Sequence, residues 1–241
     1  MVWGMDETLL PEEAAQRIAH LRQRLVDQGH LVASLLEAAL TAFYQRDAAD
    51  AAGVAAEDDR VDRVDVEIER ESVALLSAAA RAGCNLEPSQ VRQILTIVKI
   101  NNELERVADV GTDIAEMVDH LSDPSERFPE TTKVMTNSVL GLVRDAVASF
   151  ADADADRARV VLQSEHVVLE FKAEILQRVE QLVKDGAMPI ASAFDLHELI
   201  AHCMLIADHC TNIAEQVIYE RTGMIVRHID EAWIERPADP N

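Results

Sequence analysis

The sequence predicts an all-α protein: two pseudo-symmetric three-helix bundles related by an internal duplication. Three observations carry this expectation. Of the 241 residues, 49% are hydrophobic but only 4% aromatic, so Ala, Leu, Val and Ile build the core, which suits close-packed helices better than a sandwich of strands. Apolar residues recur at intervals of three and four along long stretches, the period of a buried helix stripe. The third and sixth stretches also share a signature: Ala108-Asp109, Thr112 and Ile114-Ala115-Glu116 stand in register with Ala207-Asp208, Thr211 and Ile213-Ala214-Glu215. Chance likeness between helix-rich segments is the alternative to duplication.

The first helix is expected from about Pro11 to Tyr44, with its stripe traced through Leu21, Leu25, Val32, Leu35, Leu36, Ala39 and Phe43. Asp47 can cap a second helix that reaches about Arg81 along Val54, Val61, Val64, Ile68, Leu75 and Ala79. Gly83 and Asn85 supply a stop, and Pro88 suits the first turn of a third helix, about Glu87 to Leu121. Pro124 and Pro129 mark a linker. The order then repeats: a helix from Thr131 to Phe150, a second opened by Asp152 or Asp154 and reaching about Asp185, and a third from Ser192 to Thr222, stopped by Gly223. The expected organisation is one repeat over 10–122, a second over 128–228, and a C-terminal tail over 229–241.

A formal net charge of −22 repels nucleic acid and anionic lipid head groups at long range, and few aromatics are available to stack on bases. Cations, metal ions or a basic partner surface are the complementary expectation; a merely well-solvated surface is the plain one. The N-terminus lacks the basic start and apolar core of a signal peptide, and no apolar run approaches the roughly 20 residues that span a bilayer. Three cysteines without a Cys-x-x-Cys pair fit a reducing compartment. The expectation is a cytoplasmic protein that neither binds nucleic acid nor inserts into a membrane.

Two acid stripes stand out. Asp58, Asp62, Asp65 and Glu69 line one face of the second helix, and Glu105, Asp109, Asp113 and Glu116 line one face of the third. Like charges four apart destabilise a helix by a few tenths of a kcal/mol per pair, so a solvated acidic face normally interleaves Lys or Arg. Neither Asp62 nor Asp113 has a cation three or four residues away on its own helix. Two such stripes facing one another would gather carboxylates that suit a hard divalent or iron-type metal ion. A solvated face neutralised by bulk counterions or by a partner subunit's arginines is the alternative.

Other constellations are weaker. His197 and His202 flank a Glu as in a zinc-protease motif but stand five apart, which takes them off a shared face. Glu-x-x-His, phosphate-binding Gly-rich loops and a Gly-x-Ser-x-Gly elbow do not occur. His209 reads as structural, and the cysteines as small buried hydrophobes. No covalent catalysis is expected, and the chain reads as a non-enzyme.

The repeat helices resemble the PhoU family of phosphate-specific transport accessory and regulatory proteins. Leu104-Glu105-Arg106-Val107-Ala108-Asp109 followed by Asp113-Ile114-Ala115-Glu116 is similar to one copy of its signature. Ile206-Ala207-Asp208-His209 followed by Thr211-Asn212-Ile213-Ala214-Glu215 is similar to the other, and Thr222-Gly223-Met224-Ile225-Val226-Arg227-His228 is similar to the family's ending. The resemblance implies two three-helix bundles, often dimerised, that dampen the phosphate-starvation response through contact with the transporter's ATPase subunit and a phosphate-sensing histidine kinase. It also implies metal binding through Glu/Asp-x-x-x-Asp pairs, which Asp58 with Asp62 and Glu105 with Asp109 match, Asp113 standing beside them. In the second copy Met204 takes the place of the motif's Glu. Aligning Ile68 with Ile175 sets Leu169 and Lys172 opposite Asp62 and Asp65, leaving Glu165 opposite Asp58. Glu165, Asp208 and Asn212 therefore form a degraded second set, and a metal should favour the first. A metal-binding or metal-sensing protein unconnected with phosphate signalling is the other functional expectation.

Overall fold

The computed structural model describes residues 9–121, 127–229 and 232–237. Six helices come in order: α1 (Pro11–Gln45), α2 (Ala48–Ala82), α3 (Pro88–His120), α4 (Glu130–Ala151), α5 (Ala155–Lys184) and α6 (Ile190–Thr222). Two strands follow, β1 (Met224–Ile229) and β2 (Ala232–Pro237). The helix limits lie within a residue or two of those the caps and breaks predict. Of the expected linker signals, Pro124 lies outside the described residues.

Local chemistry explains the boundaries. Asp47 accepts hydrogen bonds from the backbone N–H groups of Ala49 and Asp50, and Asp154 does the same for Asp156 and Arg157, so the second helix of each repeat starts on the same cap. Asp152, the other expected cap, lies instead past the end of α4 and closes that helix. Gly83 and Gly223 end α2 and α6 at φ 62° and 69°, a conformation that costs glycine little.

The helices form two three-membered bundles, α1-α2-α3 and α4-α5-α6, as the repeat predicts. Among the described residues, two helix pairs carry most of the packing between them, α1 on α4 and α3 on α6. Along the first joint Gly29 lies against Val147, Tyr44 Oη lies 3.0 Å from Thr136 Oγ1, and Arg22 bonds both the Phe150 carbonyl and, at 2.7 Å, Glu220 of α6. Along the second, Glu103 accepts from His209 Nδ1 at 2.8 Å and from Asn212 Nδ2 at 3.2 Å. Lys99 of α3 stands by the Tyr219 ring, whereas Glu116 and His120 share a cleft with Asp195 and Glu198, so rising numbers on α3 meet falling numbers on α6 and the two run antiparallel.

α6 is long and apolar enough to cross a membrane by length and composition alone. One side of it is committed to the core: Leu196, Leu199, Ile206, Ile213 and Val217 are fully buried and the helix packs on α3, α4 and α5, while Ile190, Phe194 and Leu205 are exposed. Cys203 and Cys210 lie in that core; burial pushes the Cys203 thiol up to about 12 and the Cys210 thiol higher still, so both stay protonated.

The C-terminal strands form an antiparallel hairpin, an element that the helical pattern did not predict, and it straddles the expected limit at residue 228. Val226 enters the core, and Arg159 of α5 grips Glu235 through Nε and Nη2 at 2.6 and 3.0 Å. Arg227 forms an ion pair with Glu215 of α6.

Candidate metal centre

The seam of α2 explains where its acids go. Val54, Val61, Ile68 and Leu75 are buried at strict seven-residue intervals, a narrow stripe. Asp58 and Asp65 each follow a seam residue by four, so they sit at the edge of the stripe, facing α3. Asn101 of α3 shows this directly: buried, it donates from Nδ2 to Asp65 Oδ1 at 2.6 Å and to the Asp65 carbonyl at 3.0 Å.

One turn and more along, Asp58, Asp62 and Asp109 bring carboxylate oxygens within 4.8 Å of one another. Among the described residues this is the one such gathering of acids, histidines or cysteines. Asp58 is half-buried; Asp62 and Asp109 are exposed. Asp58 Oδ1 is fully buried with no hydrogen-bond partner; the Thr112 hydroxyl lies near enough to favour the anion, yet Thr112 Oγ1 is itself buried without a formed bond.

The electrostatics agree with the geometry. Burial, then Asp62 and Asp109, hold the Asp58 carboxyl above its ordinary range. Burial, then Asp62 and Asp113, raise Asp109, with Arg106 and His209 moderating the rise. Glu105 is raised by burial and by Asp109, Asp65 and Asp62, against Arg106. Asp65 is raised by burial, Glu69 and Asp62, against the Asn101 hydrogen bond. A bound cation would reverse these penalties and satisfy the orphaned Asp58 oxygen; the donor set is all oxygen, which fits Mg, Ca, Mn or Fe.

Of the residues that spacing nominates, Asp58, Asp62 and Asp109 are drawn together. Glu105 and Asp113 are coupled to Asp109 by charge but stand outside the trio. In the second repeat Glu165 is half-buried on α5, Asp208 is exposed on α6, and Asn212 is engaged with Glu103. Neither Glu165 nor Asp208 joins a gathered group. Glu215, raised by burial, has Arg227 and Lys99 as compensating charges. Sequence reasoning missed Asn101 and Thr112. The readable signal at Asn101 was an amide placed four residues after Ile97 and three before Leu104, inside the apolar stripe of α3.

Comparison with known proteins matches this architecture. The PhoU domain family matches twice, over residues 25–118 and 132–217, one match per bundle. A PhoU homolog of the phosphate-specific transport system from Thermotoga maritima is 32% identical over 169 residues, covering 69% of this chain and 70% of the relative. One from Pseudomonas aeruginosa is 29% identical over 212 residues, 87% of this chain and 85% of the relative. The crystal structure of PhoU from P. aeruginosa superposes with a TM-score of 0.78 at 26% identity, covering 87% of this chain and 99% of that one. The phosphate transport system regulatory protein PhoU from Streptococcus pneumoniae shares the fold, with a TM-score of 0.80 at 23% identity over 89% of this chain and 99% of that one. With both bundles matched and the duplicated acid signature lying inside the matches, the chain belongs to the PhoU family.

Proposed function

We propose that this protein is a cytoplasmic, non-catalytic regulator of phosphate uptake and phosphate-starvation signalling. It acts as a homodimeric adaptor between the ATPase subunit of a phosphate ABC transporter and a phosphate-sensing histidine kinase. The observation that carries this reading is the double family match, which accounts for both bundles and so for nearly all of the helical body. Relatives named as phosphate-specific transport accessory proteins, similar over most of their length, support it. Deleting the gene, with any paralogues also deleted, should derepress a starvation reporter in phosphate-rich medium. A reporter that stays repressed counts against the adaptor role.

A second reading is favoured by the Asp58–Asp62–Asp109 gathering: the first repeat holds a divalent or iron-type metal ion. Asp58, Asp62 and Asp109 would hold the ion, with Glu105 and Asp113 beside them. It would cancel the mutual repulsion of the two stripes and fasten α2 to α3. Elemental analysis of purified wild type and Asp62→Asn/Asp109→Asn protein tests this. Metal retained by the wild type and lost by the variant is the expected result; equal, near-zero content in both rejects it.

A further inference from the structure

A second constellation lies on the joint between the repeats. Asp113, Glu116 and His120 stand at i, i+3 and i+7 on α3, and Asp195, Glu198 and His202 stand at the same spacing on α6. All six line one cleft of about 290 Å³ where the C-terminal end of α3 meets the N-terminal end of α6. Each helix contributes a Glu and a His four residues apart, hence neighbours on one face. Side chains tilt toward the N-terminus of their helix. Because the two helices run antiparallel, the two histidines, at opposite ends of the cleft, both lean toward its middle.

No Lys or Arg lines this cleft among the described residues. His202 keeps Nδ1 buried with no hydrogen-bond partner. The scaffold does not require this chemistry. In the repeat register that aligns Asp109 with Asp208, Glu116, His120, Glu198 and His202 correspond to Glu215, Tyr219, Lys99 and Glu103. At that other end of the same helix pair Glu103 and Glu215 are engaged from within. Lys99 Nζ stands 6.0 Å from the Tyr219 ring centroid, Arg227 pairs with Glu215, and Glu103 is bonded by His209 and Asn212.

We infer that the α3–α6 cleft binds a divalent first-row transition-metal ion of the zinc type through Glu116, His120, Glu198 and His202, with Asp113 and Asp195 flanking. Two imidazoles with carboxylates favour Zn, Fe, Co or Ni over Mg or Ca, which separates this site from the all-oxygen centre between α2 and α3. The cleft's side chains are more widely set than the Asp58–Asp62–Asp109 trio and would close on the ion by rotamer changes. The ion would tie the first repeat directly to the second. This site does not depend on the adaptor reading or on a metal at the α2–α3 centre.

The test is calorimetric titration of untagged, chelator-treated protein with Zn²⁺, comparing wild type, Glu198→Gln/His202→Gln and Asp62→Asn/Asp109→Asn. Wild type and the aspartate variant should bind Zn²⁺ and gain thermal stability from it. The Glu198→Gln/His202→Gln protein should bind at least about tenfold more weakly. Cobalt should report nitrogen ligation by its visible spectrum in wild type, and that spectrum should be lost in the variant. Glu116→Gln/His120→Gln, altering exposed positions on the other helix, should give the same loss and serves if the first pair disturbs folding by circular dichroism. Zinc binding unchanged in a folded cleft variant, or abolished only by the aspartate substitutions, overturns the site.

Discussion

Asp62 is the residue on which the acidic centre turns, because its charge raises Asp58, Asp65, Asp109 and Glu105 together. A carboxylate raised above its unfolded value stabilises the fold fully below that unfolded value, and the contribution is lost as pH rises through the folded one. At neutral pH the metal-free cluster is therefore a liability. Asp62→Asn should raise the metal-free melting temperature at pH 7 by roughly 1–2 °C, since each relieved like-charge contact is worth a few tenths of a kcal/mol. The gain should fade as pH falls toward the ordinary carboxylate range, where the neighbours protonate. Adding Mn²⁺ should reverse the order, stabilising wild type more than the variant. Differential scanning calorimetry over a pH series, with and without Mn²⁺, checks all three statements. Spacing alone placed these acids on one stripe of each helix and left open whether the stripes face one another. It could not say which oxygens meet, because that depends on how far α2 and α3 are rotated about their axes, and the narrow Val54–Val61–Ile68–Leu75 seam sets this.

Among the elements, α1 packs on both partners of its own bundle and on α4 of the other. The joint is tightest at Gly29, where an added Cβ would stand 2.7 and 2.8 Å from the two γ-carbons of Val147 and 3.3 Å from its Cβ. Valine is stiff at χ1 in a helix and cannot swing away, so overpacking of about 1–3 kcal/mol outweighs the roughly 1 kcal/mol of helix propensity that alanine brings. Gly29→Ala should lower the urea midpoint. Gly111→Ala should be close to neutral, because the atom it meets at 2.6 Å is Cδ2 of Leu35, the far end of a flexible side chain. Helix limits were legible because their punctuation is local: Asp47, Asp154, Gly83, Pro88 and Gly223 act on their own neighbours. The hairpin was harder. Ile225, Val226, Ile229, Trp233 and Ile234 crowd into a short stretch of sequence, a β-branched and aromatic run that a search for three-and-four periodicity passes over.

At the scale of the whole molecule the two repeats solve one electrostatic problem differently. The first gathers Asp58, Asp62 and Asp109 with only Arg106 and His209 to moderate Asp109; the second brings cations to Glu215 from the hairpin and from α3. A chain ending at Gly223 loses the Arg227–Glu215 and Arg159–Glu235 pairs and the burial of Val226. It should be destabilised by about 2 kcal/mol, mostly through the lost apolar burial, because the ion pairs are partly solvated. Proteolysis or hydrogen exchange should show the loosening in α5 and α6 before α1 to α3. The doubling was legible because the signature is repeated in sequence. The division of countercharge was not, since Arg227 reaches Glu215 only through a strand that folds back.

That fold-back sets an order in time. Every group of the first repeat has left the ribosome well before α6 is complete, whereas Glu215 waits for Arg227, and Arg159 waits for Glu235, some 76 residues further along the chain. During synthesis, at about 5–20 residues per second, the first bundle can therefore settle as a unit while the second remains unfinished for several seconds. The hairpin is the closing clasp of biogenesis: until it has emerged, Glu215 lacks Arg227 and Arg159 lacks Glu235, so the second repeat is the last part of the molecule to be completed.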